Sequence, residues 1–273
     1  MPFEVRTLAE WEAACIPNML SVLIPVHDEE GHIAGTVTAL AAALRAAAIK
    51  FEILVVNDNS RDRTAQILAE LAPSHPELRV VDNAPPNGFG FAIRRGLSEF
   101  RGDAVAIVMA DLSDDPADLV RFYSKYREGY DCVFGSRFVA GGRVVDYPLP
   151  KLVLNRLANL LIQLLFWFRY NDMTNAFKLY SRRSIAGIQP LLSHHFNLTV
   201  EMPLKCIVRG FRYAVVPNSW RNRKAGLSKF RIREMGSRYM FIIIYCLVEK
   251  TLSRGDYKSG TLDHSAQLQV WPR

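Results

Sequence analysis

The chain has no uninterrupted apolar stretch of the roughly 18–20 residues that crossing a bilayer requires. Two stretches come partway: Leu157 to Phe168, broken by Asn159 and Gln163, and Tyr239 to Val248, preceded by Arg238 and followed by Glu249-Lys250. Each is long enough to lie in an interface and too short to cross, and each taken alone reads as a core helix. Cysteine is scarce. Cys15, Cys132, Cys206 and Cys246 are far apart and have no paired metal-ligand spacing. This fits a reducing compartment in which each thiol is a small buried apolar group. The first residues include Glu4 and Glu10 and lack a basic region ahead of an apolar core, so no signal peptide is expected. No G-x-G-x-x-G follows the first apolar run, which argues against a dinucleotide-binding dehydrogenase. There is no internal repeat.

What is present is globular: 273 residues, 49% apolar and 22% charged, enough for one large α/β domain or one with a small appendage. The formal charge of +7 implies an anionic partner. Seven of the cations, Arg221, Arg223, Lys224, Lys229, Arg231, Arg233 and Arg238, fall in one segment with a single acid, Glu234. Nucleic acid is an unsuitable partner. The basic run has little aromatic interleaving, and there is no zinc or helix-turn-helix signature.

Apolar runs and helical patterns alternate. Strands are predicted at Ser21–Pro25, Phe51–Val56, Leu78–Val81, Ala104–Met109 and Asp131–Phe134. Helices are predicted at 33–48, 64–71, 92–99 and 117–128. Continuous apolar strands alternating with helices predict an α/β fold with a mostly parallel sheet covered on both faces. Ligands of such sheets bind beyond the carboxyl ends of the strands. Those ends here read Pro25-Val-His27-Asp28-Glu29-Glu30, Asn57-Asp58-Asn59-Ser60, Asn87-Gly88-Phe89-Gly90, Asp111-Leu-Ser-Asp114-Asp115 and Gly135-Ser136-Arg137. Three of the five are acidic. Carboxylates at the end of a buried strand need a cation, and a divalent metal carrying a diphosphate supplies one. The same residues before Pro116 are also good helix-capping chemistry, and both roles can hold at once.

Together, the Pro25-Val-His-Asp-Glu29 turn, the Val56-Asn-Asp58-Asn-Ser60-Arg-Asp62-Arg-Thr64 turn and the acidic fourth strand end resemble a family-2 glycosyltransferase of the GT-A fold. Asn87-Gly-Phe-Gly90, Arg94-Arg95-Gly96 and Phe134-Gly-Ser-Arg137-Phe-Val-Ala-Gly-Gly142 narrow the resemblance to dolichol- and polyprenyl-phosphate mannose synthases and their bacterial relatives, over roughly residues 20–235. The resemblance implies that Pro25, His27, Glu29 and Asp58 hold the base and ribose of a nucleotide sugar, with Gly88 and Gly90 admitting the nucleotide to the backbone. It implies Mg²⁺ or Mn²⁺ as cofactor. Met109 stands where the family's metal motif has its first aspartate and Ser113 where a glutamine is usual, so ligation rests on Asp111, with Asp114 or Asp115 as helpers. Arg137, Lys151 and Asn155 fall where the family contacts its acceptor phosphate, and Asp111 and Arg137 are the residues expected to carry catalysis.

The reaction so implied is inverting transfer from a nucleotide sugar, with GDP-mannose ahead of a UDP-sugar, to a polyprenyl phosphate at the cytoplasmic membrane face. A phosphate nucleophile is already anionic and needs no general base. A hydroxyl acceptor would need one. Glu201 and Asp172 are available, but both read as structural, and His194-His195 is no convincing metal pair. The alternatives are a hydroxyl-acceptor transferase and an inactive nucleotide-sugar-binding relative. The expected organisation is a catalytic domain over 1–235, an amphipathic membrane-surface helix over 236–255 and a polar tail over 256–273. Basic residues 221–238 would meet anionic head groups. Some family members carry a membrane anchor and others borrow one from a partner subunit; the chain resembles the anchorless kind.

Overall fold

The computed structural model describes residues 15–222 and 232–259. Seven strands form one sheet: β1 (Ile16–Val26), β2 (Phe51–Asn57), β3 (Leu78–Asp82), β4 (Gly102–Ile107), β5 (Cys132–Ser136), β7 (Lys178–Ser181) and β8 (Tyr213–Pro217). The order is β3-β2-β1-β4-β7-β5-β8, and β6 (Arg143–Val145) pairs with β9 (Ser219–Arg221) in a separate ribbon. All pairs in the main sheet are parallel except the two made by β7, which runs antiparallel to both β4 and β5. The five predicted strands are all present, although β4 stops at Ile107 and leaves Met109 beyond the strand.

Side chains alternate along β1 and divide the core into two layers. Leu20, Val22 and Ile24 meet α1 (Ile33–Ala46) and α4 (Pro116–Arg127) on one face. Leu23, with Leu54 and Val56 of β2, meets α3 (Phe89–Glu99) on the other. A second short helix, α2 (Thr64–Leu71), follows β2. Burial on both faces is why these strands read as unbroken apolar runs. Helix α4 starts cleanly: Asp115 Oδ1 accepts from Ala117 N at 2.9 Å, Pro116 opens the first turn, and Lys125 and Arg127 lie in the last.

Two helices depart from expectation. Helix α5 (Leu149–Phe166) has 18 residues and is apolar enough, by length and composition, to cross a membrane, which corrects the reading that no segment qualifies. Nor is it a core helix. Leu149, Val153, Leu154, Leu157, Leu160, Leu161 and Leu164 are exposed, as is Trp167 just after the helix. Its inward contacts include polar ones: Asn155 Nδ2 donates to Thr174 Oγ1 at 2.6 Å, Arg156 to Asn171 O at 3.1 Å, and Asn159 Oδ1 accepts from Met173 N. Ile162 and Phe166 join these groups on the inward side, buried in the core, while the exposed side remains rich in leucine.

Past α6 (Arg182–Gly187) and α7 (Leu198–Val208), helix α8 (Ile232–Leu252) spans the expected boundary at 235/236. It buries Ile242, Ile243 and Cys246, and Glu249 pairs with Arg209 at 2.8 Å. Its outer face exposes Met240, Phe241, Ile244, Val248 and Leu252, so apolar residues lie on both its buried and its exposed sides. Most of the predicted basic segment (223–231) and of the polar tail (260–273) lies outside the described residues. Cys132, Cys206 and Cys246 are free and buried, and Cys15 is half-buried.

Candidate active site

The ends of β1 and β2 are joined by reciprocal hydrogen bonds. Asp58 N donates to Val26 O at 2.8 Å, Arg61 N to Asp28 Oδ1 at 2.7 Å, Glu29 N to Thr64 Oγ1 at 2.9 Å and Arg63 N to Glu30 Oε2 at 3.0 Å. His27 Nδ1 lies 2.8 Å from Asp58 O. Pro25 is buried within β1, whereas His27 is exposed and Glu29 half-buried beside it. The structure thus gathers Pro25, His27, Glu29 and Asp58 at one edge, as the sequence implied.

Asp58 is more occupied than a free nucleotide ligand would be. It is buried, and its carboxylate accepts from Asn83 Nδ2 at 2.7 Å, Asn87 Nδ2 at 2.9 Å and Gly88 N at 2.7 Å. A carboxylate offers about four acceptor positions, so most of this one organises the turn into α3. Gly88, with φ +139°, is in a region that favours glycine. Gly90 has a different reason. A Cβ there would lie 2.3 Å from the carbonyl carbon of His194, so the backbone admitted against it is the protein's own 194–195 segment. Gly90→Ala is expected to lose about 1–3 kcal/mol by overpacking and to displace residues 192–197. Urea unfolding checks the first effect, and an unchanged midpoint would refute it.

The acidic strand end is held by β9 and the residue before it. Arg221 N donates to Ser113 O at 2.9 Å, and Asn218 Nδ2 lies 3.4 Å from Asp114 Oδ1. Asp111 is half-buried and accepts from Ser113 N at 3.1 Å, Asp114 is buried, and Asp115 is exposed as the cap of α4. Burial pushes the Asp114 carboxyl up to about 8; Arg137 opposes this, while Asp111, Asp118 and Asp172 add to it. No group of three or more His, Cys, Asp or Glu side chains forms a metal-binding cluster among the described residues. The expected ligands Asp111, Asp114 and Asp115 therefore do not converge as a triad.

Arg137 is placed differently from a free phosphate ligand. It is buried, with Nε 2.8 Å and Nη2 2.6 Å from the Asp172 carboxylate, and its own N–H donates to Asp172 Oδ2 at 2.9 Å. The rings of Phe138, Tyr147 and Trp220 surround the guanidinium at 5.4–5.8 Å. Burial pulls its pKa down, but the bond to Asp172 and that carboxylate's charge more than reverse this and hold it above the ordinary arginine value. Of the other two candidates, Lys151 is exposed on the first turn of α5, and Asn155 bonds to Thr174 and Asn159. Sequence reasoning missed Arg156, whose guanidinium stacks 4.4 Å from the Phe138 ring. It also missed Lys178, fully buried and donating to the carbonyls of Met173, Asn175 and Thr199. Burial lowers the Lys178 pKa to about 7. One lysine in a four-residue strand gave no pattern to read.

Residues 21–188, more than half of the chain, match the model of Glycosyl transferase family 2. The chain belongs to this glycosyltransferase family. It is 29% identical over 233 residues to polyprenol monophosphomannose synthase of Mycolicibacterium smegmatis, covering 80% of the chain and 86% of that relative. Dolichol-phosphate mannosyltransferase of Pyrococcus furiosus is 30% identical over 137 residues, half of the chain but 38% of that longer protein. Among solved structures, glucosyl-3-phosphoglycerate synthase of Mycobacterium tuberculosis with bound UDP superposes with a TM-score of 0.62 at 19% identity, covering 90% of the chain and 84% of that enzyme. The same enzyme has been crystallised with Mn²⁺, UDP and phosphoglyceric acid. The glycosyltransferase described here shares that α/β GT-A architecture, a mostly parallel seven-stranded sheet with flanking helices.

The glycosyltransferase's acidic edge fits a hard divalent cation. Its donors are oxygens, and buried Asp114 is crowded by three further carboxylates that a cation would relieve. Without a triad among the described residues, Asp111 would be the residue to hold such a cation, which would act by stabilising charge on a diphosphate.

Proposed function

We propose that this glycosyltransferase transfers a sugar, mannose from GDP-mannose in first place, to a polyprenyl phosphate at the cytoplasmic membrane surface, with inversion and with Mg²⁺ or Mn²⁺. The observation that carries this reading is α5. One helix exposes a row of leucines and also bears Lys151, Asn155 and Arg156, the last two reaching the segment around Asp172 that holds Arg137. An apolar face beside cationic and amide groups is the chemistry of a lipid phosphate, with tail and head served by the same element. Helix α5 lies along the domain rather than leaving it, because polar bonds tie it down at Asn155, Arg156, Asn159 and Phe166. The exposed face of α8 extends the surface.

The donor would lie across the Pro25–Glu29 and Asp58 turns and the start of α3. A bound divalent cation would stabilise the charge developing on the leaving diphosphate. The protein's own task is to orient donor and acceptor and to exclude water. A hydroxyl acceptor is disfavoured by the state of the two carboxylates considered as its base. Asp172 is paired with Arg137, while Glu201 accepts from Leu192 N at 2.6 Å and Ser193 N at 2.7 Å and pairs with Lys205 at 2.8 Å.

The test is nucleotide release from GDP- and UDP-sugars with Mg²⁺ or Mn²⁺, with and without polyprenyl phosphate. Release that requires the lipid phosphate is the expected result. Equal release with a sugar hydroxyl alone would replace this reading. In vesicle flotation, Leu157→Glu and Leu161→Glu together are expected to abolish membrane association with the fold intact, and unchanged flotation would remove α5 from the membrane surface.

A further inference from the structure

Helix α5 carries one cation that is held in place without a counter-charge. The Arg156 guanidinium is half-buried and lies 4.4 Å from the Phe138 ring, with Nη1 donating to Asn171 O at 3.1 Å. Both supports are themselves fixed. Asn171 Nδ2 donates to Phe138 O at 3.0 Å, Phe138 N donates to Ser136 Oγ at 3.2 Å, and Ser136 Oγ donates to Asn171 Oδ1 at 2.7 Å. A guanidinium has five N–H donors, and among the described residues only one of Arg156's is engaged. No carboxylate there pairs with it. Other arginines that the fold buries in part or wholly are treated differently. Arg79, Arg95, Arg137 and Arg209 each have a carboxylate partner, and Arg182 donates to Gly102 O and Phe100 O.

The surroundings of Arg156 suit one kind of group. Arg137 approaches the same Phe138 ring, at 5.4 Å, but Asp172 neutralises it, so Arg156 is an uncompensated positive charge beside a neutral pair. The neighbouring amide, Asn155, bonds at both ends, to Thr174 Oγ1 and from Asn159 Nδ2. Lys151 is exposed, and no contact fixes it among the described residues. Val153, Leu157 and Leu160 are 50%, 59% and 50% exposed. Val153 and Leu160 stand three before and four after Arg156, a spacing that shares a helix face, so the apolar row begins at the arginine's own border. The planar fork of an arginine matches two phosphate oxygens, and a guanidinium already stacked on a ring loses little freedom in meeting them.

From this fixed, uncompensated guanidinium at the edge of an apolar row, we infer that Arg156 is an acceptor-binding residue. Its remaining N–H groups meet the oxygens of the acceptor's phosphate, while Val153 and Leu160 flank the carrier's apolar part. Arg137, tied to Asp172, then holds the turn that carries Phe138 and so supports Arg156 from behind. The inference deepens the transfer reading and rests on it for the acceptor being a phosphate. That phosphate arrives on a prenyl chain or on a soluble carrier, and the chemistry at Arg156 is the same for both.

The experiment is calorimetric titration of the full chain, without nucleotide sugar, using farnesyl phosphate, farnesol and 3-phosphoglycerate. Farnesyl phosphate should bind more tightly than farnesol. Arg156→Gln should weaken it about 10- to 100-fold, the effect of losing hydrogen bonds between charged groups, and bring it to the level of farnesol. The same variant removes an unpaired charge, so thermal unfolding should be unchanged or raised. Arg156→Lys should recover part of the affinity, because lysine restores the charge without the fork. In turnover, the loss in Arg156→Gln should fall on the acceptor KM and leave the nucleotide-sugar KM in place, a split that a general structural defect would not produce. Arg156-dependent binding of 3-phosphoglycerate, with no gain from the prenyl chain, keeps the inference and overturns the lipid acceptor. Equal phosphate binding by Arg156→Gln and the parent, or none by the parent, overturns the inference, even where nucleotide release still requires the lipid.

Discussion

Asp172→Ala is expected to destabilise the protein by about 3–5 kcal/mol, the range for removing one partner of a buried ion pair. The loss arises because Arg137 would stay buried with its charge uncompensated. Three donors now point at that carboxylate: Nε, Nη2 and the Arg137 backbone N–H. Asp172→Asn should fall between, because its side-chain oxygen can still accept while the charge is gone. The double change Arg137→Met with Asp172→Leu should recover much of the loss, since apolar replacement of both members of such a pair is often nearly neutral. Urea midpoints for the three variants decide the matter. If Asp172→Ala unfolds with the parent, the pair is not what holds residues 171–175 to the end of β5.

For Asp111→Asn the large effect is on turnover. The carboxylate lies just beyond the carboxyl end of β4 and would hold the cation of the proposed reaction, so nucleotide release should fall about 10²–10³-fold, the usual effect of removing one preorganised charge-stabilising group. The fold should survive, because Asp111 makes one hydrogen bond, to Ser113 N, within its own turn. Mn²⁺-dependent affinity for the nucleotide diphosphate should drop in parallel, and a chelator should reduce the parent enzyme to the level of the variant. Retention of full turnover by Asp111→Asn would take this strand end out of the reaction.

The polar edge of the sheet was legible from sequence for a physical reason. Strands buried on both faces are unbroken apolar runs, and polar residues can begin only where the strand leaves the core, so the site announces itself as the ends of those runs. What those polar residues bind was less legible. Asp58 and Gly90 were read toward a ligand, yet the structure turns much of each toward the protein: Asp58 to Asn83, Asn87 and Gly88, and Gly90 to the His194 backbone. Nothing at Gly90 reveals a neighbour some hundred positions away in the chain. Helix α5 was misread because leucine content was taken for burial. Asn155, Arg156 and Asn159 turn inward with Ile162 and Phe166 while most of its leucines face outward, and hydropathy alone does not record direction. Strand β7 was missed because four residues running against their neighbours carry no periodicity of their own.

The placement of β7 also bears on how the chain folds as it leaves the ribosome. Strands β3, β2, β1 and β4 are contiguous in the sheet and complete by Ile107, so that half can assemble with α1 and α3 while synthesis continues. Strand β5 comes next in the chain, but both of its partners, β7 and β8, lie downstream. Until Lys178–Ser181 emerge, β4 presents an open edge and β5 has no native neighbour. Mispairing of these two nascent strands, in the slot reserved for β7, is the hazard that holding chaperones would have to suppress.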